Sequence, residues 1–285
     1  TNYAATVTDP DGVSVAAMAL ATLGASTTGT VTVSNAVEIS GSVSEIIAAL
    51  ATDATKVVLT GNANITASDV DGASDLSGVD PLGTLTAQLA NSVDISGNIN
   101  LANVENISMN NGASVRMTTA QNALITSAAG TNTVTLSNAG TVSGNAAVES
   151  YNLAAGAQPF TLGASGQNVT LDSTGSSGSV AISTGTLTSV TGTLDDGTGN
   201  DTIALTLATT GVNISSADTT DVDSIVLASG VSATMTIAQH ALITSAAGAN
   251  TVTLSDAGTV TGNAAVESYV LAAGSQSFTL GASGQ

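Results

Sequence analysis

Residues 120–167 read AQNALITSAAGTNTVTLSNAGTVSGNAAVESYNLAAGAQPFTLGASGQ, and residues 238–285 read AQHALITSAAGANTVTLSDAGTVTGNAAVESYVLAAGSQSFTLGASGQ. At this offset of 118, 41 of 48 positions are identical. Upstream the match fades but persists: Val104-Glu105-Asn106-Ile107 falls on Val222-Asp223-Ser224-Ile225. A shorter period lies inside the longer one. The pattern Val, acid, three residues, then Leu or Met begins at Val104, Val148, Val222 and Val266, 44 apart within each pair. A glycine follows at the same step each time, at Gly112, Gly156, Gly230 and Gly274. Repeats of this kind mark architectures in which each unit buries its apolar face on its neighbour. A 44-residue step is two coils of about 22 residues, inside the range of solenoid repeats.

Working outward from the repeat, strand signals are short and frequent from about Val93 onward. Examples are Thr133–Ser137, Phe160–Gly163, Asn168–Leu171, Ser179–Ser183, Asp201–Leu207 and Asp223–Ala228, β-branched runs bounded by Gly, Asn, Asp or Ser. The first 90 residues differ. Ser14–Leu23, Ser42–Ala51 and Thr84–Ala90 have apolar residues at helical spacing with Ser or Thr at the start, and Ser42 and Glu45 have the spacing of a capping box. Thr30–Val33 and Lys56–Thr60 lie between them as strands. The expected fold is all-β: a parallel β-solenoid of stacked coils, with a few short helices in the N-terminal third. Residues 1–90 are expected as strand-plus-helix repeats or a cap, and 91–285 as solenoid repeats. Gln285 matches Gln167, after which the first copy runs on into Asn168-Val169-Thr170-Leu171, so the natural chain is expected to continue.

Composition agrees with a thin core. Of 285 residues 42% are apolar, but only 2% are aromatic, so the large rings that usually supply most buried area are scarce. Richness in Val, Ile and Thr argues against disorder. Two Lys+Arg stand against 21 Asp+Glu, a net charge of −19. Phosphate contacts need cations, so nucleic acid is not an expected partner. With no Cys, disulfide and thiolate chemistry are excluded. No run reaches the ~18 apolar residues of a membrane span, so none is expected.

Candidate sites are acidic. Asp196-Gly197-Thr198-Gly199-Asn200-Asp201-Thr202-Ile203 places Asp196, Asn200 and Asp201 around a glycine turn. Asp9-Pro10-Asp11-Gly12 and Asp69-Val70-Asp71-Gly72 put alternating carboxylates before glycine. Such oxygens suit Ca²⁺, a hard cation that takes six to eight of them, and Asp-Gly is also an ordinary turn signal. The recurring acids Glu105, Glu149, Asp223 and Glu267 read as a solvated face, as carboxylates accepting turn N–H groups, or as cation-bridged contacts between molecules. His240, the only histidine, matches Asn122 in the first copy, and a nucleophilic triad has no other base. Tyr151 with Tyr269, and Phe160 with Phe278, are repeat pairs and read as packing. No enzymatic activity is expected.

Residues 196–203 resemble one nonapeptide of the RTX calcium repeat, with Asp196 in place of the first glycine, and the phrases of 185–239 resemble the repeats of large secreted bacterial surface proteins, S-layer-like and RTX-type adhesins. The resemblance covers roughly 93–285. It implies an extracellular or cell-surface location, Ca²⁺-assisted folding and a scaffold or adhesive role. Near absence of intact nonapeptides is the departure from that pattern. The expected function is a repetitive structural segment of a surface layer, filament or matrix fibre that self-associates. The alternative is an adhesin stalk or ligand-binding solenoid, with cell-surface or glycan contact, or ice contact through Thr-x-Thr faces such as Thr133-Val134-Thr135.

Overall fold

The computed structural model describes residues 2–51, 56–154, 158–172, 178–198, 201–272, 274 and 277–284. Among these residues strands of two to seven residues dominate, and the paired strands run parallel. The chain divides into two compact units, 1–132 and 133–285.

In the first unit, Ala5–Val7, Val31–Val33 and Val57–Leu59 form one sheet. A six-stranded sheet runs in chain order through Ser14–Ala16, Glu38–Ser42, Asn64–Val70, Leu85–Leu89, Asn106–Met109 and Ile125–Ala128. Ser92–Asp94 pairs with Ser114–Met117. The register sets like on like. Ile39 faces Ile65, Ile65 faces Leu85, and a second column runs Ala67, Ala87, Ile107, Ile125, all buried. Because side chains alternate across a strand, Thr66 and Thr86 between these columns sit on the other face.

In the second unit the chain alternates between two sheets and changes the pair as it goes. Thr133–Leu136, Ser150–Ala154, Asn168–Asp172 and Leu194–Asp195 lie side by side. A six-stranded sheet takes Val142–Ser143, Gln158–Thr161, Ser179–Ser183, Thr202–Leu207, Ser224–Leu227 and Ile243–Ala246. Val212–Asn213, Ser232–Met235, Thr251–Leu254 and Ser268–Val270 form the next, and Thr259–Thr261 pairs with Ser277–Thr279. The central column of the six-stranded sheet is Val142, Phe160, Ile182, Leu205, Ile225 and Ile243, each at most 5% exposed. Each strand thus removes one large side chain from water against the next, about 1.5–3 kcal/mol apiece.

The repeated segment has a definite place in this order. Ile125–Ala128 and Ile243–Ala246, its two ITSA strands, are each the last strand of a six-stranded sheet. Both follow a four-residue helix, Thr119–Asn122 or Ile237–His240, closed by a Thr-x-x-Gln capping box. Both pair through a register shift, beside Ile107 and Ile225 respectively. An irregular, twisted last strand discourages further pairing.

Several expectations need correction. Thr84–Ala90 is not a helix: Leu85–Leu89 is a strand, its Leu85, Ala87 and Leu89 buried at period two. The same apolar residues fit a helical spacing, and pairing on both sides decides between them. The first helix begins at Ala17, after the strand Ser14–Ala16. Short helices also occur outside the N-terminal third, at Thr119–Asn122 and Ile237–His240. The Ser42–Glu45 capping box is present: Glu45 N–H donates to Ser42 Oγ at 3.4 Å and Ser42 N–H to Glu45 Oε2 at 2.8 Å. Among the described residues no helix is long and apolar enough to cross a membrane.

Candidate functional site

The Val-acid pattern is a turn followed by a clamp. Val104, Val148, Val222 and Val266 are buried, and each donates its N–H three residues back, to Leu101, Asn145, Thr219 and Asn263 at 3.0–3.1 Å. The acid that follows reaches the neighbouring strand. Glu105 Oε2 accepts from Leu85 N–H at 2.6 Å, Asp223 Oδ2 from Ile203 N–H at 2.8 Å, and Glu267 Oε2 from Asn250 N–H at 2.7 Å. These three carboxylates take backbone N–H groups at or beside strand starts, where the sequence suggested turn N–H groups. Charge-assisted bonds of this kind are about twice as strong as neutral ones. Asparagine does the same at Asn64, which accepts from Thr84 N–H, and at Asn168, which accepts from Thr193 N–H.

The densest negative charge lies on the turn after Leu194–Asp195. Carboxylate oxygens of Asp195, Asp196 and Asp221 lie within 4.8 Å of one another. Gly197, at φ 77°, lets the turn close: its N–H donates to Asp195 Oδ1 at 2.8 Å, and a Cβ there would strike the Leu171 carbonyl. Burial, then the neighbouring charges of Asp221, Asp195, Asp223 and Asp201, push the Asp196 carboxyl above its ordinary range. Asp201, 4% exposed, accepts from Gly178 N–H through Oδ1, and its Oδ2 has no hydrogen-bond partner among the described residues. Asn200 lies outside the described residues. The structure therefore joins Asp196 to Asp195 and Asp221, where the sequence grouped it with Asn200 and Asp201. The missed signal is spacing: Asp221 follows Asp196 by 25 positions, close to the interval separating paired strands here. Two oxygens on one Ca²⁺ at ~2.3–2.6 Å lie at most about 5 Å apart, so the spacing fits a hard cation.

None of the protein families, curated proteins or solved structures compared with the chain matches it.

Asp11 Oδ1 accepts from Ala36 N–H at 2.8 Å, and the Asp9 carbonyl accepts from Asn35 at 2.7 Å. Asp71 Oδ1 accepts from Ser74 Oγ at 2.8 Å and Ala73 N–H at 3.0 Å, bonds that hold its carboxyl below the usual range. Asp69 is left-handed, φ 59°, inside a bulge where Ala67 pairs Ala87 and Val70 pairs Leu89.

His240 is 5% exposed and its Nε2 lies 2.9 Å from Tyr269 Oη. Tyr269 Oη also accepts from Asn263 N–H at 2.7 Å. Burial lowers the His240 pKa. In the first copy Tyr151 Oη accepts from Asn145 N–H at 2.8 Å. Ring pairs repeat as well: Tyr151–Phe160 centroids are 5.0 Å apart, Tyr269–Phe278 4.8 Å. Thr133 stands beside Ser150, and Ser150 beside Asn168, so that outward column mixes Thr, Ser and Asn.

Proposed function

We propose that the chain is a structural segment of a secreted bacterial surface assembly, a surface layer, filament or matrix fibre, wound as a parallel β-solenoid and steadied by a divalent cation at Asp195, Asp196 and Asp221. The observation that carries this reading is the inward column from Val142 to Ile243, in which each parallel strand rests on one 18–23 residues away. Such an arrangement extends by adding like segments and needs no closed core. The acids at the Val-acid turns support the reading too, since three of them are committed to backbone N–H groups. The resemblance to secreted surface repeats supports an extracellular location, and self-association and glycan contact are part of the same proposal.

Calcium supplies one positive centre to a turn that otherwise concentrates like charge. Adding Ca²⁺ is expected to raise the thermal midpoint of the wild type and leave Asp196→Asn and Asp221→Asn unmoved. Asp196→Asn in EDTA should be more stable than wild type in EDTA, because it removes the repulsion. Negative-stain images of the purified chain with Ca²⁺ and with EDTA test the assembly itself. Sheets or fibres that disperse in EDTA are expected; monodisperse particles in both would sink the scaffold reading.

A further inference from the structure

The helix Ile237–His240 lies in the chain between two strands, Ser232–Met235 and Ile243–Ala246. Farther on, Thr259–Thr261 begins a new sheet, and its only strand partner among the described residues is Ser277–Thr279. Two bonds show which way its backbone faces. The Gly258 carbonyl accepts from Ser277 N–H at 3.1 Å, and Gly262 N–H donates to the Thr279 carbonyl at 2.8 Å. Backbone groups alternate in direction along a strand, so those of Thr259 and Thr261 turn away from Ser277–Thr279. On that other side lies a cleft of about 360 Å³, walled by Thr259–Thr261 and by Ile237, His240 and Ala241 of the helix end. This volume is at the small end of the range for ligand sites. The helix spends its own N–H groups internally: His240 N–H donates to the Thr236 carbonyl at 2.9 Å and Ala241 N–H to the Ile237 carbonyl at 3.1 Å. It therefore offers no ladder to the two threonines, which are exposed. Residues of this chain bound the cleft on both sides.

We propose that this cleft binds an extended peptide segment of another protein, added as a strand to Thr259–Thr261, with a β-branched residue at its centre and Lys or Arg at its ends. The inference is independent of the scaffold reading. Thr259 and Thr261 each present one N–H and one C=O at alternate positions, a spacing that an extended main chain matches. Side-chain alternation sets the centre of the segment. Val260 is 4% exposed, so the residue beside it turns inward as well, toward Val260 and Ile237, and its neighbours turn to solvent. Charge sets the ends. From Ile237 to Glu267 the chain carries Asp256 and Glu267 and no Lys or Arg, and both cations of the protein, Lys56 and Arg116, belong to the first unit. The same net charge of −19 disfavours a second copy of this chain as the occupant.

The test titrates the purified chain with the acetylated and amidated peptide Lys-Thr-Val-Thr-Lys and reads amide hydrogen exchange residue by residue by NMR. At saturation, exchange at Thr259 and Thr261 should slow about tenfold, while Gly262, already bonded to Thr279, should not change. Glu-Thr-Val-Thr-Glu should bind at least about tenfold more weakly, and Lys-Thr-Pro-Thr-Lys should protect nothing, because proline cannot donate to the ladder. Thr261→Pro removes an N–H that faces the cleft and spares the bonds to Ser277–Thr279, so it should abolish protection at Thr259. Ala241→Phe, at an exposed position, fills the cleft from the helix side without altering the strand, and should abolish protection at both threonines. No protection, equal binding of the acidic or proline peptide, or protection that persists in Ala241→Phe overturns the proposal. Slowing at Thr259 and Thr261 that grows with protein concentration in the absence of peptide also overturns it, giving the cleft to a second copy.

Discussion

Leu153 and Leu271 share almost the same sequence neighbourhood, yet one is dry and the other is 40% exposed. Leu162 and Leu280 repeat the contrast. Local structure is nonetheless the same in both copies: the capping box, the tyrosine hydroxyl on an asparagine N–H, and the tilted Tyr–Phe pair all recur. Sequence therefore determines the strand and the turn, and burial belongs to the neighbouring strand. In a core built this way no residue is interior by itself.

Truncation breaks the comparison most sharply. Leu153→Ala should cost about 2–5 kcal/mol, because a fully buried leucine leaves a cavity. Leu271→Ala should cost less than about 1 kcal/mol. Urea midpoints of the two variants measure the difference, and equal losses would mean that Leu271 is covered in solution. The caps should behave alike: Thr118→Ala and Thr236→Ala should each lose about 1 kcal/mol, since both threonines accept a Gln N–H at 3.2 Å. Unequal losses would show that the cap depends on its surroundings.

The smallest effect concerns a titratable difference between the copies. His240 replaces Asn122, and burial sets its folded pKa below the 6.5 of the free side chain. A depressed pKa means that its contribution is fully present above pH 6.5 and is lost as pH falls through the folded value. The urea midpoint should therefore drift down over that window in wild type, and His240→Asn should flatten the drift. A His240→Asn profile as steep as wild type would remove the imidazole from the account.

Much of the fold was legible because its signals are local. Ser179–Ser183 is a strand with the bounds its β-branched run suggests, and the Ser42–Glu45 box is readable from two letters. The same box at Thr118–Gln121 and Thr236–Gln239 went unread, although a Thr-x-x-Gln before an apolar residue carries the same chemistry. Leu85–Leu89 misled because alternation over five residues fits either period until a partner strand is in place. The acidic site was half legible. Asp196 stands out beside its glycine turn, but Asp221 joins it only through register, and register is decided by the stacking of the whole sheet.

The ITSA strands have one more consequence. Cutting the chain inside the first copy and rejoining it at the matching residue of the second deletes 118 positions, and the junction restores the repeat. Ile243–Ala246 would then stand where Ile125–Ala128 stood, again finishing a sheet. Genetic crossover between the near-identical stretches could shorten or lengthen such a protein in whole steps of 118 residues, leaving the repeated sequence at the junction intact.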